Sequence, residues 1–402
     1  MINLGSLKVN PDWASLPLFD RKEWVRVRFG DVVANLNETV RNPALAGIER
    51  FIGLEHLQPR SLHVRQWGNI ADGTTFTRRC RPGQVLFGKR RAYQRKVAVA
   101  EFDAVVSGDI YVLVPKNDRL VPELVPFLCL SERFFQHAVG TSAGSLSPRT
   151  NWASLASFEF DLPPLDQQRR IAEILWAADD LSTSEAKVKN AIDTVLQQQI
   201  DQTMKVDSTR LTSSNGVTLQ AVTTKIVDGV HKRPDYTPTG VPFLTVENLT
   251  RGPQIDFQET RFVSAADHSE FVKRAHPEQG DVLVTKDGTL GVARYVDTNI
   301  PFSIFVSLAL LKPKRELVSG RFLEYYIRSA TFAEHVRKRV SGSALKHIHL
   351  IDFRSAPFHL IPLEEQIARV ERFQVLEAAS AALRRTLDAI SRLRDSLIAH
   401  LT

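Results

Sequence analysis

The sequence predicts a mixed α/β (α+β) protein in which two similar globular domains are separated by two long helices forming an antiparallel coiled coil, the halves related by a pseudo-twofold internal repeat. Three observations predict it. "LPPLDQQRRIAEIL" (Leu162–Leu175) is answered by "LIPLEEQIARVERF" (Leu360–Phe373), with Gln168 and Gln366 198 residues apart in a chain of 402. Each copy opens a long segment without proline or glycine whose apolar residues recur every seven positions. Ahead of each copy lies a section of short β-branched and aromatic runs bounded by Gly, Pro or Asp. The expected layout is an N-terminal tail over 1–20, a domain over 21–161, a helix over 162–206, a second domain over 207–360 and a second helix over 361–402.

The repeat continues through the domains in order. "IGLEHL" (Ile52–Leu57) matches "LTVENL" (Leu244–Leu249), "GQVLFGKRRA" (Gly83–Ala92) matches "GDVLVTKDGT" (Gly280–Thr289), and Pro115 matches Pro313. "VGTSAGSLSPRTNW" (Val139–Trp152) matches "VSGSALKHIHLID" (Val340–Asp352). The offset drifts from 192 to 198, as loop insertions in a duplicated domain would produce. Strands are expected at "GQVLFG", "AVVSGDIYVLVP", "GDVLVT", "GVARYV" and the extended runs before each motif. Helices are expected over Glu123–Gly140 and Gly320–Val340. "IPFSIFVSLALL" (Ile300–Leu311) reads as a core strand, being too short to span a bilayer. "VDSTRLTSSNG" (Val206–Gly216) reads as a linker.

Each motif has the grammar of a helix start: Pro163, Pro164 and Pro362 at the entry, then Asp166 or Glu364 and Glu365 on the positive helix end. In the first helix the expected seam is the row Ile171, Ala178, Glu185, Ile192 with the row Ile174, Leu181, Val188, Val195. In the second it is Leu376, Leu383, Ile390, Leu397 with Phe373, Ser380, Leu387, Leu401. Two such helices in one chain pair most economically with each other.

Composition narrows the function. Net charge is +7, and Gly73–Ala100 holds Arg78, Arg79, Arg81, Lys89, Arg90, Arg91, Arg95 and Lys96 without one acidic residue. Such clustering points to a polyanion, nucleic acid above all. Only Cys80 and Cys129 occur, with no CxxC pair, and the N-terminus lacks a basic start followed by an apolar core. The expectation is a cytoplasmic chain with no signal peptide, disulfide framework or thiolate metal site. Candidate contacts are Lys89, Arg90, Arg91, Tyr93, Gln94 and Arg95 in one loop, and Ser145, Ser147, Arg149 and Asn151 in another. Arginine takes guanine bidentately, glutamine takes adenine, and lysine holds phosphate. The second half offers His231, Lys232 and Arg233, then Lys286, Asp287, Gly288 and Thr289, then Ser343, Lys346 and His347. His347 and His349 have metal-ligand spacing but no evident third ligand, so no metal is expected. The Lys286–Thr289 turn precedes a strand-like run rather than a helix, which argues against a nucleotide site. "PDW" with "DRK" (Asp20–Lys22) mimics a nuclease motif, but in a proline-broken tail. No Gly-rich strand-to-helix turn suits S-adenosylmethionine, and no Asn-Pro-Pro-aromatic motif is present.

This pattern of two variable domains, each followed by a Pro-Pro-Leu-x-x-Gln turn and a long helix, resembles the specificity subunit of a Type I restriction-modification enzyme. The motif residues are Pro163, Pro164, Leu165, Gln168, Ile171 and Ala172, then Pro362, Leu363, Gln366, Ile367 and Ala368, with Ile361 where the first copy has Pro163. The resemblance covers the chain after about residue 20. It implies two target-recognition domains that each read half of a bipartite double-stranded DNA site. It further implies spacer helices docking two methyltransferase subunits, restriction subunits joining that complex, and no catalysis by the chain. No cofactor would then bind this chain, S-adenosylmethionine residing on the methyltransferase. A helix of 34 residues from Ile171 to Met204, about 50 Å long, would act as a ruler between half-sites. The other reading is a stand-alone DNA-binding regulator dimerising through its helices.

Overall fold

The computed structural model describes residues 18–205, 216–340 and 347–402, which form two compact units: Met1–Lys187 with Arg384–Thr402, and Val188–Leu383. Residues 206–215 of the expected linker and most of the tail lie outside the described residues, and Gly216, the linker's last expected residue, opens a strand.

In the first unit a four-stranded antiparallel sheet has the order Val33–Leu36, Ile110–Pro115, Val85–Gly88, Val97–Val99. Val85, Phe87, Val99 and Leu113 face a helical layer that includes Phe127, Phe134 and Leu155. Leu86, Ala98, Ile110 and Val112 face a second sheet through Ile52, Ala104 and Val106. Both faces are dry, so these strands read as continuous apolar runs rather than alternating ones. The second sheet runs Gly68–Asn69, Arg50–Ile52, Ala104–Val106, Arg78–Cys80, with its central pair parallel. Val25–Arg28 pairs with Glu159–Leu162.

The second unit repeats this plan. Its four-stranded sheet is Thr223–Asp228, Leu308–Pro313, Val282–Thr285, Ala293–Tyr295. Its smaller sheet is Arg261–Val263, Val241–Leu244, Ser303–Ile304, again with one parallel pair. Gly216–Thr218 pairs with Pro357–His359. The segment Ile300–Leu311 is therefore not one strand. Leu308 N donates to Phe305 O in a turn, and the chain passes from one sheet to the other.

The two mid-domain helices are also broken, by the same device. Helices Val125–Leu130 and Glu132–Gly140 meet at Ser131, whose Oγ donates to Leu128 O and accepts from Phe134 N. Helices Gly320–Ile327 and Ala330–Val340 meet next to Ser329, whose Oγ donates to Tyr326 O and accepts from Phe332 N. A buried serine offers the backbone a cap in place of another helical turn.

The long helices run Leu165–Met204 and Leu363–Ala399. Pairing inside each unit is antiparallel. In the first, Asp179 accepts from Arg394 Nη1 at 3.1 Å, and Ile171 and Leu175 share a core with Ile398 and Leu401. In the second, Ser380 Oγ donates to Asp193 at 2.6 Å and Arg369 Nη1 to Thr203 Oγ1 at 2.9 Å. On the second helix, Leu376, Leu383, Leu387, Ile390 and Leu397 are buried or half-buried, as the heptads predict. On the first helix the seam lies one residue away from the expected rows, through Leu175, Asp179, Asp193, Leu196, Ile200 and Thr203. Ile171 is buried and Ile174 and Ile192 are half-buried, but Leu181, Val188 and Val195 stand 48%, 52% and 42% exposed. Polar residues occupy part of the true seam because each finds a partner there, so apolar spacing alone selects the wrong row.

Each motif glutamine is buried and locks its domain to its helix. Gln168 accepts from Val121 N at 2.9 Å and donates to Arg119 O and Pro163 O. Gln366 accepts from Ser319 N at 3.0 Å and donates to Leu317 O and Ile361 O. Replacing Gln168 with leucine strands all three backbone groups. Urea denaturation should show a loss of about 2–4 kcal/mol; a loss below about 0.5 kcal/mol would contradict the lock.

A histidine adds a second tie in the first unit. His63 Nε2 meets buried Asp179 at 2.9 Å and Nδ1 meets Glu101 at 2.9 Å. Asp179, then Glu101, outweigh burial and raise its pKa from 6.5 to about 9. A raised histidine stabilises fully below its unfolded pKa and ceases to as pH climbs through the folded one. Stability at pH 6 should therefore exceed that at pH 9.5 by roughly 2 kcal/mol more than in His63→Ala, after allowance for solvent screening at the partly exposed ring. Parallel pH profiles for the two proteins would refute the tie.

Candidate nucleic-acid interface

In the first unit the hairpin after Val85–Gly88 closes through a 3-10 turn, Ala92–Gln94, flanked by Arg91 at φ 52° and Arg95 at φ 54°. Left-handed non-glycine residues are costly and cluster at functional sites. The second candidate loop lies against this hairpin. Arg149 bridges both Ala143 and Arg90, Arg91 N donates to Pro148 O at 2.7 Å, and Thr150 N donates to Lys89 O at 3.0 Å. The candidates from 89–94 and 145–149 thus converge.

Their centre is Asp109, which lies outside the candidate loops. Arg149 Nε donates to Oδ1 at 2.8 Å and Arg90 Nη1 to Oδ2 at 3.3 Å. Burial would raise this carboxyl; Arg149, then Arg90, outweigh it and hold it below the usual range. Arg90 Nη2 and Arg91 Nη2 both donate to Ser147 Oγ, at 2.9 and 3.3 Å. Lys89 Nζ sits 5.0 Å over the Tyr111 ring, its pKa lowered by burial first and by Arg78 next. Tyr93 and Ser145 are exposed and Gln94 is half-buried.

Two candidates are engaged elsewhere. Arg95 Nη2 donates to Glu132 at 2.7 Å, and the guanidinium lies over Phe135. Asn151 caps helix Trp152–Ala156, its Oδ1 accepting from Ser154 N at 2.8 Å. The basic run is also less naked than its sequence. Arg79 pairs with Asp103, Arg81 with Glu38, Arg90 with Asp109 and Arg95 with Glu132, all acids from outside Gly73–Ala100. Arg91 forms no ion pair among the described residues; its side chain bonds Ser147 Oγ and Leu146 O.

The second unit builds a site on the same backbone bonds. Asp287 bridges His347, Ile348 N donates to Lys286 O at 2.9 Å, and Lys286 N donates to Ser307 O at 2.9 Å. The first-unit counterpart of the last is Lys89 N to Asp109 O. Lys286 is buried, its Nζ 3.5 Å from Asp228 and 3.7 Å from Asp287, and serves as an internal brace rather than an accessible contact. Asp228 also bonds Arg274 and, at 3.2 Å, His231. Burial would raise its carboxyl; Arg274, His231 and Lys286 together hold it low. His347 Nδ1 bonds the Asp287 carboxylate. Lys232, Arg233, Thr289 and Gly288 are exposed, Gly288 at φ 69°, where a side chain would strain the turn. Ser343 and Lys346 lie outside the described residues.

Lys89 and Lys286, Arg90 and Asp287, and Arg149 and His347 therefore occupy equivalent places with different chemistry. The equivalence also exposes a segment that sequence reasoning missed. "NETVRNP" (Asn37–Pro43) follows the edge strand Val33–Leu36 as "DGVHKRP" (Asp228–Pro234) ends and follows Thr223–Asp228, which makes exposed Arg41 the counterpart of Lys232. The matched prolines were the available signal. Asp109 and Arg274 carried none, being distant in sequence from the loops they organise.

Known proteins resemble this chain in sequence and in fold. Residues 75–194 match the family model of the Type I restriction modification DNA specificity domain. Over 196 residues the chain is 27% identical to the Type I restriction enzyme EcoDI specificity subunit of Escherichia coli, a match covering 46% of this chain and 40% of that protein. The chain thus spans less than half the length of that relative. The Type-I restriction-modification S subunit from M. genitalium has the same fold, with a TM-score of 0.62 at 13% identity over 96% of this chain and 98% of that one. So does a chain from a study of complex assembly and conformational transition of the type I R-M system, with a TM-score of 0.56 at 20% identity over 93% and 96%.

Proposed function

We propose that the chain is a Type I restriction-modification specificity subunit and that it reads a bipartite, asymmetric double-stranded DNA site, one half-site per unit. The observation that carries this is the pair of equivalent loop clusters, built on matching backbone bonds and furnished with unlike side chains. Matching scaffolds position two readers alike; Arg90 with Arg149 against Asp287 with His347 lets them prefer different bases.

The long helices dock two methyltransferase subunits, and restriction subunits join through that complex. Support comes from Leu181, Val188 and Val195, an apolar row at seven-residue spacing left uncovered on one helix. The chain performs no chemistry itself; S-adenosylmethionine belongs to the methyltransferase. Among the described residues no helix is long and apolar enough to cross a membrane, and a cytoplasmic setting suits a partner of chromosomal DNA.

Salt titration of DNA binding tests the reading. With the chain in complex with its methyltransferase subunits, Arg91→Ala should reduce the slope of log K against log salt by about one unit. Arg95→Ala, already neutralised by Glu132, should change it little. No salt-dependent DNA binding at all would refute the proposal, and equal slopes for both variants and the parent would remove this loop from the interface.

A further inference from the structure

Resting on that reading, we infer that Arg149 and His347 are the specificity-determining residues of the two half-sites, with opposite hydrogen-bond polarity: Arg149 selects a guanine, and His347 selects a base presenting an exocyclic amine, adenine N6 or cytosine N4. The two residues hold equivalent positions. Each bridges the first residue after the lysine that both units share, Arg90 or Asp287, and each precedes the residue whose N–H closes onto that lysine's carbonyl.

Their free atoms differ. Arg149 is anchored through Nε alone, on Asp109. Its two terminal nitrogens make no hydrogen bond among the described residues, and the side chain is half exposed. A guanidinium fixed at one edge with its terminal pair free matches the O6 and N7 acceptors of guanine in the major groove. Arg90 is a positioning residue by contrast. Its Nη1 goes to Asp109, its Nη2 to Ser147, and its Nε is buried.

In the second unit the carboxylate of Asp287 only accepts, so His347 Nδ1 donates to it, and the tautomer this bond selects presents Nε2 as an acceptor. Nε2 makes no hydrogen bond among the described residues, and the ring is partly exposed. An acceptor at this place complements an amino group. The guanine edge, with acceptors at both O6 and N7, offers it no donor in the major groove.

The test selects bound duplexes from a randomised library, using the full chain with its methyltransferase subunits. Arg149→Gln should move one position of one half-site from guanine to adenine. Arg149→Lys should keep the salt slope while losing guanine preference there roughly tenfold or more. His347→Arg should move one position of the other half-site to guanine. Thermal melts matching the parent's establish that each variant is folded, and the Lys variant, which keeps the charge beside Asp109, covers a poorly folded Gln variant. Unchanged preferences at every position would overturn the inference. So would a uniform loss of affinity with a shallower salt slope in Arg149→Gln, which marks a phosphate contact and leaves the proposed function standing. A parent complex that selects no sequence would instead remove the proposed function itself.

Discussion

A single buried glutamine in each unit ties a globular domain to its helix, and the rest of the architecture depends on that tie. Gln168 and Gln366 each satisfy one backbone N–H and two carbonyls at the point where strand, loop and helix meet. An amide has one acceptor and two donors to give, and here all three are used. An unpaired backbone group in that dry position would be costly, so the geometry of helix entry is set by hydrogen-bond satisfaction rather than by apolar packing alone. The repeated motif is this lock, written twice.

What the two units share and what differs between them are separated spatially. The strand order of the main sheet, the serine helix breaks and the backbone bonds of the loop clusters recur in both units. The side chains those loops carry do not. A scaffold fixed by buried apolar strands and backbone hydrogen bonds tolerates changes at its loop tips, since exposed polar residues contribute little to stability. Here such changes exchange a cationic cluster around Asp109 for a charge-balanced one around Asp228.

Much of this was legible in the sequence, for definite reasons. The internal repeat, the helix starts and the second helix's heptads depend on local spacing, which sequence displays directly. The loops 89–94 and 145–149 were identifiable by composition and converge in the fold. What escaped depended on contacts distant in sequence. The first helix's seam runs through Asp179, Asp193 and Thr203, whose partners are on the other long helix, so its polar character hid it. The cationic appearance of Gly73–Ala100 overstated its surface charge because Glu38, Asp103, Asp109 and Glu132 fold onto it. Arg95 turned to Glu132 for the same reason, whereas Asn151 was claimed locally, as the cap of the helix that follows it.

The central claim is that each unit reads its own half-site independently on a shared scaffold. The most direct test exchanges residues 21–161 for the corresponding domain of another specificity subunit and maps methylated sites across the genome of cells carrying the complex. The account predicts a new sequence in one half-site, with the other half-site and the unread gap between them unchanged. A change in both half-sites, or in neither, would contradict it.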